Sequence, residues 1–177
     1  MTTIVLLMMV VACQEEKKEI IAAVENRALT PRMHTDSVTT VVSDSGITRY
    51  RISAPVWDVF DVVAEPYWNF TDGIRFERFD MNLKVDANIH ANYAKYLTNK
   101  QLWELKDKVR ATNIEGDLFV TEQMFWDERA AKIYSDSLIT ITKTDGSKLV
   151  GRSGFESNQQ LTKYTIKNNN GNIPYKE

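Results

Sequence analysis

The sequence predicts an all-β protein with one main domain, an antiparallel meander closing into a sandwich, jelly roll or barrel. Three observations carry that expectation. From Phe79 to Tyr93 every odd position is apolar, while Asp80, Asn82, Lys84, Asp86, Asn88, His90 and Asn92 occupy the even ones. A helix would scatter those apolar residues around its circumference, whereas an extended strand gathers them on one dry face. Turn-forming clusters recur at intervals of roughly 10 to 15 residues, and no strong helical periodicity follows residue 30.

The chain opens on a processing signal. Ile4 to Ala12 is an uninterrupted apolar run, far shorter than the ~20 helical residues needed to cross a bilayer. It ends Val10-Val11-Ala12-Cys13, which resembles a bacterial lipobox and includes the only cysteine in the chain. Residues 1–12 are therefore expected to be a lipoprotein signal peptide, and Cys13 the acylated anchor of the mature chain. Met1-Thr2-Thr3 departs from the pattern, because it supplies no positive leader. Residues 13–34 read as a tether: Gln14-Glu15-Glu16-Lys17-Lys18-Glu19 is a solvated charge run, and Ile20, Ile21, Val24, Ala28 and Leu29 recur with helical spacing.

Residues 35–177 read as the β domain. Strands are expected over Val38 to Val42 and, after the Asp44-Ser45-Gly46 turn, over Ile47 to Ala54 and Trp57 to Val63. The long alternating segment 79–93 would extend on the order of 50 Å, so it is expected to bend or turn partway. Leu102 to Ala111 and Leu118 to Trp126 flank a turn at Glu115-Gly116-Asp117. Lys132 to Thr142 and Leu149 to Phe155 flank the Asp145-Gly146 signal. Leu161 to Lys167 is expected to be the last strand, before the break Asn168-Asn169-Asn170-Gly171.

Composition narrows the function. With 22 basic against 24 acidic residues and a formal net charge of -2, the chain offers no basic field for nucleic acid. One cysteine and two histidines, His34 and His90, leave too few ligands for a structural zinc site, and no phosphate-binding loop, nucleophile elbow or zinc-protease helix occurs. No cofactor, metal or catalytic residue is expected. A glycan-cleaving carboxylate pair stands as an alternative whose test is geometric. Trp57, Trp68, Trp103 and Trp126 fall on strands or at their ends, where they pack a core or line an apolar slot. Asp36-Ser37-Val38 and Asp136-Ser137-Leu138 resemble a three-residue O-glycosylation acceptor.

The stretch Val38-Thr39-Thr40-Val41-Val42-Ser43-Asp44-Ser45-Gly46-Ile47-Thr48-Arg49-Tyr50-Arg51-Ile52-Ser53-Ala54 resembles the opening of LptC-family domains. It is joined in order by Ala91-Asn92-Tyr93-Ala94, Leu102-Trp103-Glu104-Leu105, Thr121 to Trp126, Tyr134-Ser135-Asp136 and Gly151 to Ser157, so the resemblance covers about residues 35 to 175. It implies an open, V-shaped β-jelly roll, similar to OstA and LptA, that holds lipopolysaccharide acyl chains in the periplasm. The implied partners are lipopolysaccharide, the LptF/LptG transporter at the first edge (Val38 to Val42, with Gly46) and LptA at the last edge (Leu161, Tyr164), besides the inner membrane reached through the lipid anchor. Ser37, Trp68 and Tyr164 are the positions that the resemblance brings to the ligand, and Phe79, Met81 and Leu83 are expected in the groove from the alternation. The competing expectation is a structural or surface-exposed β-sandwich lipoprotein with a closed core.

Overall fold

The computed structural model describes residues 29–167 and 169–172. The segment expected to be a signal peptide, 1–12, the expected anchor Cys13 and most of the expected tether lie outside the described residues. The remainder is all β, as the alternation predicts: fourteen antiparallel strands form one hydrogen-bonded network, with no helix longer than a short 3-10 turn among the described residues.

Four long strands give the network its shape, because three of them, all but the first, change partners partway along. β1 (Met33–Asp44) pairs with β2 (Ile47–Phe60) throughout. The first half of β2 pairs with β4 (Ile74–Phe79) and its last residues with β3 (Tyr67–Phe70). β7 (Leu102–Thr112) pairs with β6 (Tyr93–Leu97) at one end and β5 (Val85–Ala91) at the other. β8 (Leu118–Asp127) pairs with β10 (Ile139–Thr142) at its start and β9 (Lys132–Ser135) at its end. The outermost strands follow the same division: β11 (Lys148–Gly151) and β14 (Asn169–Asn172) extend from β10, while β12 (Phe155–Asn158) and β13 (Tyr164–Ile166) extend from β9. The network thus splits into two layers joined along a bend in β1, β2, β7 and β8, a jelly-roll arrangement.

Local chemistry places the bend. Pro55 has no N–H to give a ladder, and it sits where β2 leaves β4 for β3; its place opposite in β1 is taken by Ser37, at φ +55°. In β7 the bulge residues Asp107 and Lys108 both have positive φ and mark the same corner. The expected break at Pro55 is therefore a bend inside one strand.

Three other expectations are corrected. The segments 132–142 and 149–155 are each two strands, split at Asp136–Leu138 and Arg152–Gly154, where the chain crosses between layers. Gly154 makes the second crossing at φ +93°, and a Cβ there would lie 1.9 Å from the Ser135 carbonyl oxygen, so only glycine fits. The last described strand is β14, on the first layer, within the stretch read as a terminal break.

The layers face one another across one core. Phe76 of β4 meets Trp103 of β7 edge-on at 4.8 Å and Trp126 of β8 at 5.9 Å, while Phe119 of β8 meets Tyr164 of β13 at 5.4 Å. Ile139, Ile141, Phe119 and Phe155 are fully buried, so the interior is filled toward β9–β12.

Candidate functional site

Register turns the sequence's alternation into continuous interior rows. On the first layer Ile52, Phe76, Ile89, Ala111, Phe119 and Ile141 are directly paired from strand to strand. On the second layer the row runs Val59, Trp68, Tyr96, Trp103, Trp126 and Ile133. Cross-strand aromatic neighbours stack or meet edge-on: Trp68 lies 4.9 Å from Tyr96 and Tyr96 4.5 Å from Trp103.

Between these rows the core is not filled. A cavity of about 360 Å3 is lined by Ile52, Phe76, Ile89, Trp103, Trp126 and Ile133, with Val42 and Tyr50 at its margin. That volume falls in the range that encloses small apolar ligands. Val42 and Tyr50 are 44% and 40% exposed, so the cavity opens beside the β1–β2 hairpin. The loop between β12 and β13 supplies a further wall through Gln159, Gln160 and Leu161, of which Leu161 is buried.

That loop is held by named bonds. Asn158 Oδ1 accepts from the backbone N–H groups of Thr162 and Lys163 at 3.0 and 3.2 Å. Leu161, at φ +56°, is turned into the core with 3% exposure, and its carbonyl accepts from Asn113 Nδ2 at 3.0 Å. Asn113 is itself fixed by accepting from the backbone N–H groups of Glu115 and Asp117.

Two carboxylates, Glu77 and Glu128, are among the residues lining the cavity, and Glu77 is committed to Arg51 at 2.6 Å. Glu128 accepts from Tyr96 Oη at 2.9 Å and from Trp103 Nε1 at 3.1 Å, so two interior aromatics are oriented by one acid. Burial, reinforced by the Glu128 bond, pushes the Tyr96 phenol up to about 12. This pairing uses Glu128 as a hydrogen-bond acceptor, and no cluster of three or more potential metal ligands exists among the described residues.

The structure distributes the residues singled out from sequence. Trp68 and Tyr164 lie on interior rows, Trp68 packed between Trp57 (5.0 Å) and Tyr96, and Tyr164 against Phe119. Leu161 lines the cavity from a loop, since the edge strand begins only at Tyr164. Met81 and Leu83 are 72% and 62% exposed in the β4–β5 turn, outside the cavity. The expected groove position fails for them because Asp80 Oδ1 accepts from the backbone N–H groups of Asn82 and Lys84 and ends the strand. Phe79 is likewise outside it, under the Arg51 guanidinium at 5.2 Å. Ser37 lines a separate dent on the opposite face with Ser53, Arg75 and His90. Val38 and Val42 belong to β1, which pairs only with β2 among the described residues, and Gly46 closes their hairpin at φ +79°.

Trp103 and Trp126 were visible as slot candidates. Ile89 falls on the dry face of the alternating segment, whereas Ile52, Phe76 and Glu128 carry no such signal, because the facing of two layers leaves no mark in a linear pattern.

The family model described as lipopolysaccharide-assembly, LptC-related matches residues 1–172 of the chain. A search of curated proteins finds no match.

Proposed function

The chain belongs to the LptC family of lipopolysaccharide-assembly proteins, and from that membership we propose that it shelters lipopolysaccharide acyl chains between its two layers and passes them onward without catalysis. The family is a transport component, periplasmic and associated with the inner membrane. The observation that carries the finer reading is the unfilled apolar cavity, lined by side chains of both layers and open beside the β1–β2 hairpin.

The physical argument is one of burial. Each methylene withdrawn from water is worth about 0.8 kcal/mol, so a long acyl chain released into water faces a prohibitive barrier. Sliding along a continuous apolar surface avoids it. The aromatic row from Trp68 to Trp126 supplies such a surface, and Glu128 holds two of its rings in place. The cavity has room for part of a multi-chain lipid only, so the tails enter at Val42 and Tyr50 and occupy the interior in turn.

Hand-over follows from strand edges. β1 presents an unpaired edge among the described residues at one end of the network, and β13 and β14 are terminal at the other. Unpaired edges accept added strands through main-chain hydrogen bonds. In this reading LptF/LptG join at β1, where Val38, Val42 and Gly46 lie, and LptA joins at the far end, beyond Tyr164. Cys13 anchors the chain by lipid to the inner membrane, with residues 1–12 removed.

Filling the cavity tests the proposal. Ala87 lines it on β5 and is half-buried. Ala87→Trp should abolish binding of purified lipopolysaccharide while the protein keeps its β-sheet circular dichroism; undiminished binding by the folded variant would contradict the reading.

A further inference from the structure

The outer face of the bend carries two arginines flanking a histidine, and neither guanidinium is in an ion pair among the described residues. Arg75, His90 and Arg110 are direct cross-strand neighbours on β4, β5 and β7. They alternate with the cavity residues Phe76 and Ile89 and the buried core residue Ala111, so they stand on the opposite face of the same strands. At the usual strand spacing, the row spans about 10 Å.

Its neighbours show how unusual this is for the chain. Arg51 is bonded to Glu77 at 2.6 Å, Arg78 to Asp86 by two bonds of 2.8 and 2.6 Å, and Lys106 to Glu104 at 3.2 Å. Arg75 and Arg110 are exposed and have no acid within ion-pair distance among the described residues.

The remaining groups suit an oxyanion. His90 Nδ1 donates to the Ile74 carbonyl at 3.1 Å, which fixes the ring between the two arginines and leaves the guanidinium groups and nearby hydroxyls as the donors to an oxyanion. The row continues into the Ser53 and Thr39 hydroxyls, 3.4 Å apart, beside the dent that Arg75 and His90 line. One carboxylate, Asp72, lines that dent, against the two guanidinium groups of the row.

The geometry points to a binding site for a phosphate group, held by the guanidinium forks of Arg75 and Arg110 astride His90, with the Ser53 hydroxyl as a further donor. Planar guanidinium groups match phosphate oxygens bidentately, and charge-assisted bonds are the strong ones. The site is independent of the apolar cavity, which lies on the other side of the sheet. A phosphorylated glycan, a phospholipid headgroup and free phosphate share this chemistry.

The test is a titration of the isotopically labelled protein with inorganic phosphate, followed through the arginine side-chain N–H signals. Saturable shifts at Arg75 and Arg110 are expected. The R75Q/R110Q double variant should bind about tenfold or more weakly, and it should melt no lower than the parent. R51Q, which removes a guanidinium committed to Glu77, should bind phosphate unchanged. Non-saturating shifts, or equal binding by the double variant, would overturn the proposal. Glucosamine 1-phosphate and phosphatidylglycerol vesicles, with phosphatidylcholine vesicles as control, then identify the source: the tighter ligand names it, equal affinities name free phosphate, and each must be lost with R75Q/R110Q. Lipid binding in the cavity should survive that double substitution, so the two sites succeed or fail separately.

Discussion

The side chain of Asn113, buried at the end of β7, donates to the backbone carbonyl of Leu161 at 3.0 Å and so ties the β12–β13 loop across the interior. Through that one bond, residues 48 positions apart fix one wall of the cavity.

Cutting the tie should loosen that wall. Asn113→Ala leaves the Leu161 carbonyl and two backbone donors without their partner, at a cost of about 1–3 kcal/mol. Leu161→Ala removes the buried side chain itself, for about 2–5 kcal/mol. Denaturant unfolding measures both costs. Hydrogen exchange should show faster opening at Thr162 and Lys163 in Asn113→Ala, with β4 and β5 unchanged.

The Tyr96–Glu128 pair predicts an alkaline limit. Because burial and the Glu128 bond raise the Tyr96 phenol to about 12, against an ordinary value of 10.0, the unfolded chain loses that proton first as pH rises. Its contribution to stability is full below pH ~10 and is lost on the way to ~12. Absorbance at the phenolate band should show Tyr93 and Tyr96 ionising late, and Glu128→Gln should lower the midpoint of Tyr96 by removing the accepting carboxylate.

At the start of β1 a second titration governs attachment to β2. His34 Nδ1 bonds Asp58 at 2.6 Å, and Nε2 lies 3.3 Å from Asp36. The Asp58 bond raises the His34 pKa above its ordinary 6.5, partly offset by desolvation and helped by the Asp36 charge. The charged latch is therefore complete below pH ~6.5 and is lost as pH rises through the elevated value. Nuclear magnetic resonance titration of the His34 ring should place its midpoint above 6.5, and Asp58→Asn should lower it. Exchange at Met33 to Asp36 should quicken with rising pH more than base catalysis alone requires.

Much of the fold was legible in the sequence, and the misreadings have identifiable causes. Alternation found the strands, and the turns at Gly46 and Gly146 were placed correctly because both glycines take the positive φ that such turns require. The same alternation carried Met81 and Leu83 onto an interior face that they do not reach. Asp80 interrupts the ladder with its own side chain, and the apolar residues after it fall in a turn. Leu161 reads as strand but sits in a loop, because the Asn158 side chain takes the backbone donors of Thr162 and Lys163. Pro55 looks like a break, yet β2 continues through it, since a bend needs no donor at that position. The site itself depends on the two layers facing each other, a relation between Phe76 and Trp103 that no local pattern encodes.

The claim that lipid occupies the space between the layers is tested most directly by photocrosslinking. A photoreactive residue at Ile52, on the cavity wall, is compared with one at Val120, which is paired with Arg110 on the outer row. Labelled lipopolysaccharide should attach at Ile52 and not at Val120. Equal labelling at both positions, or labelling at Val120 alone, would contradict the account.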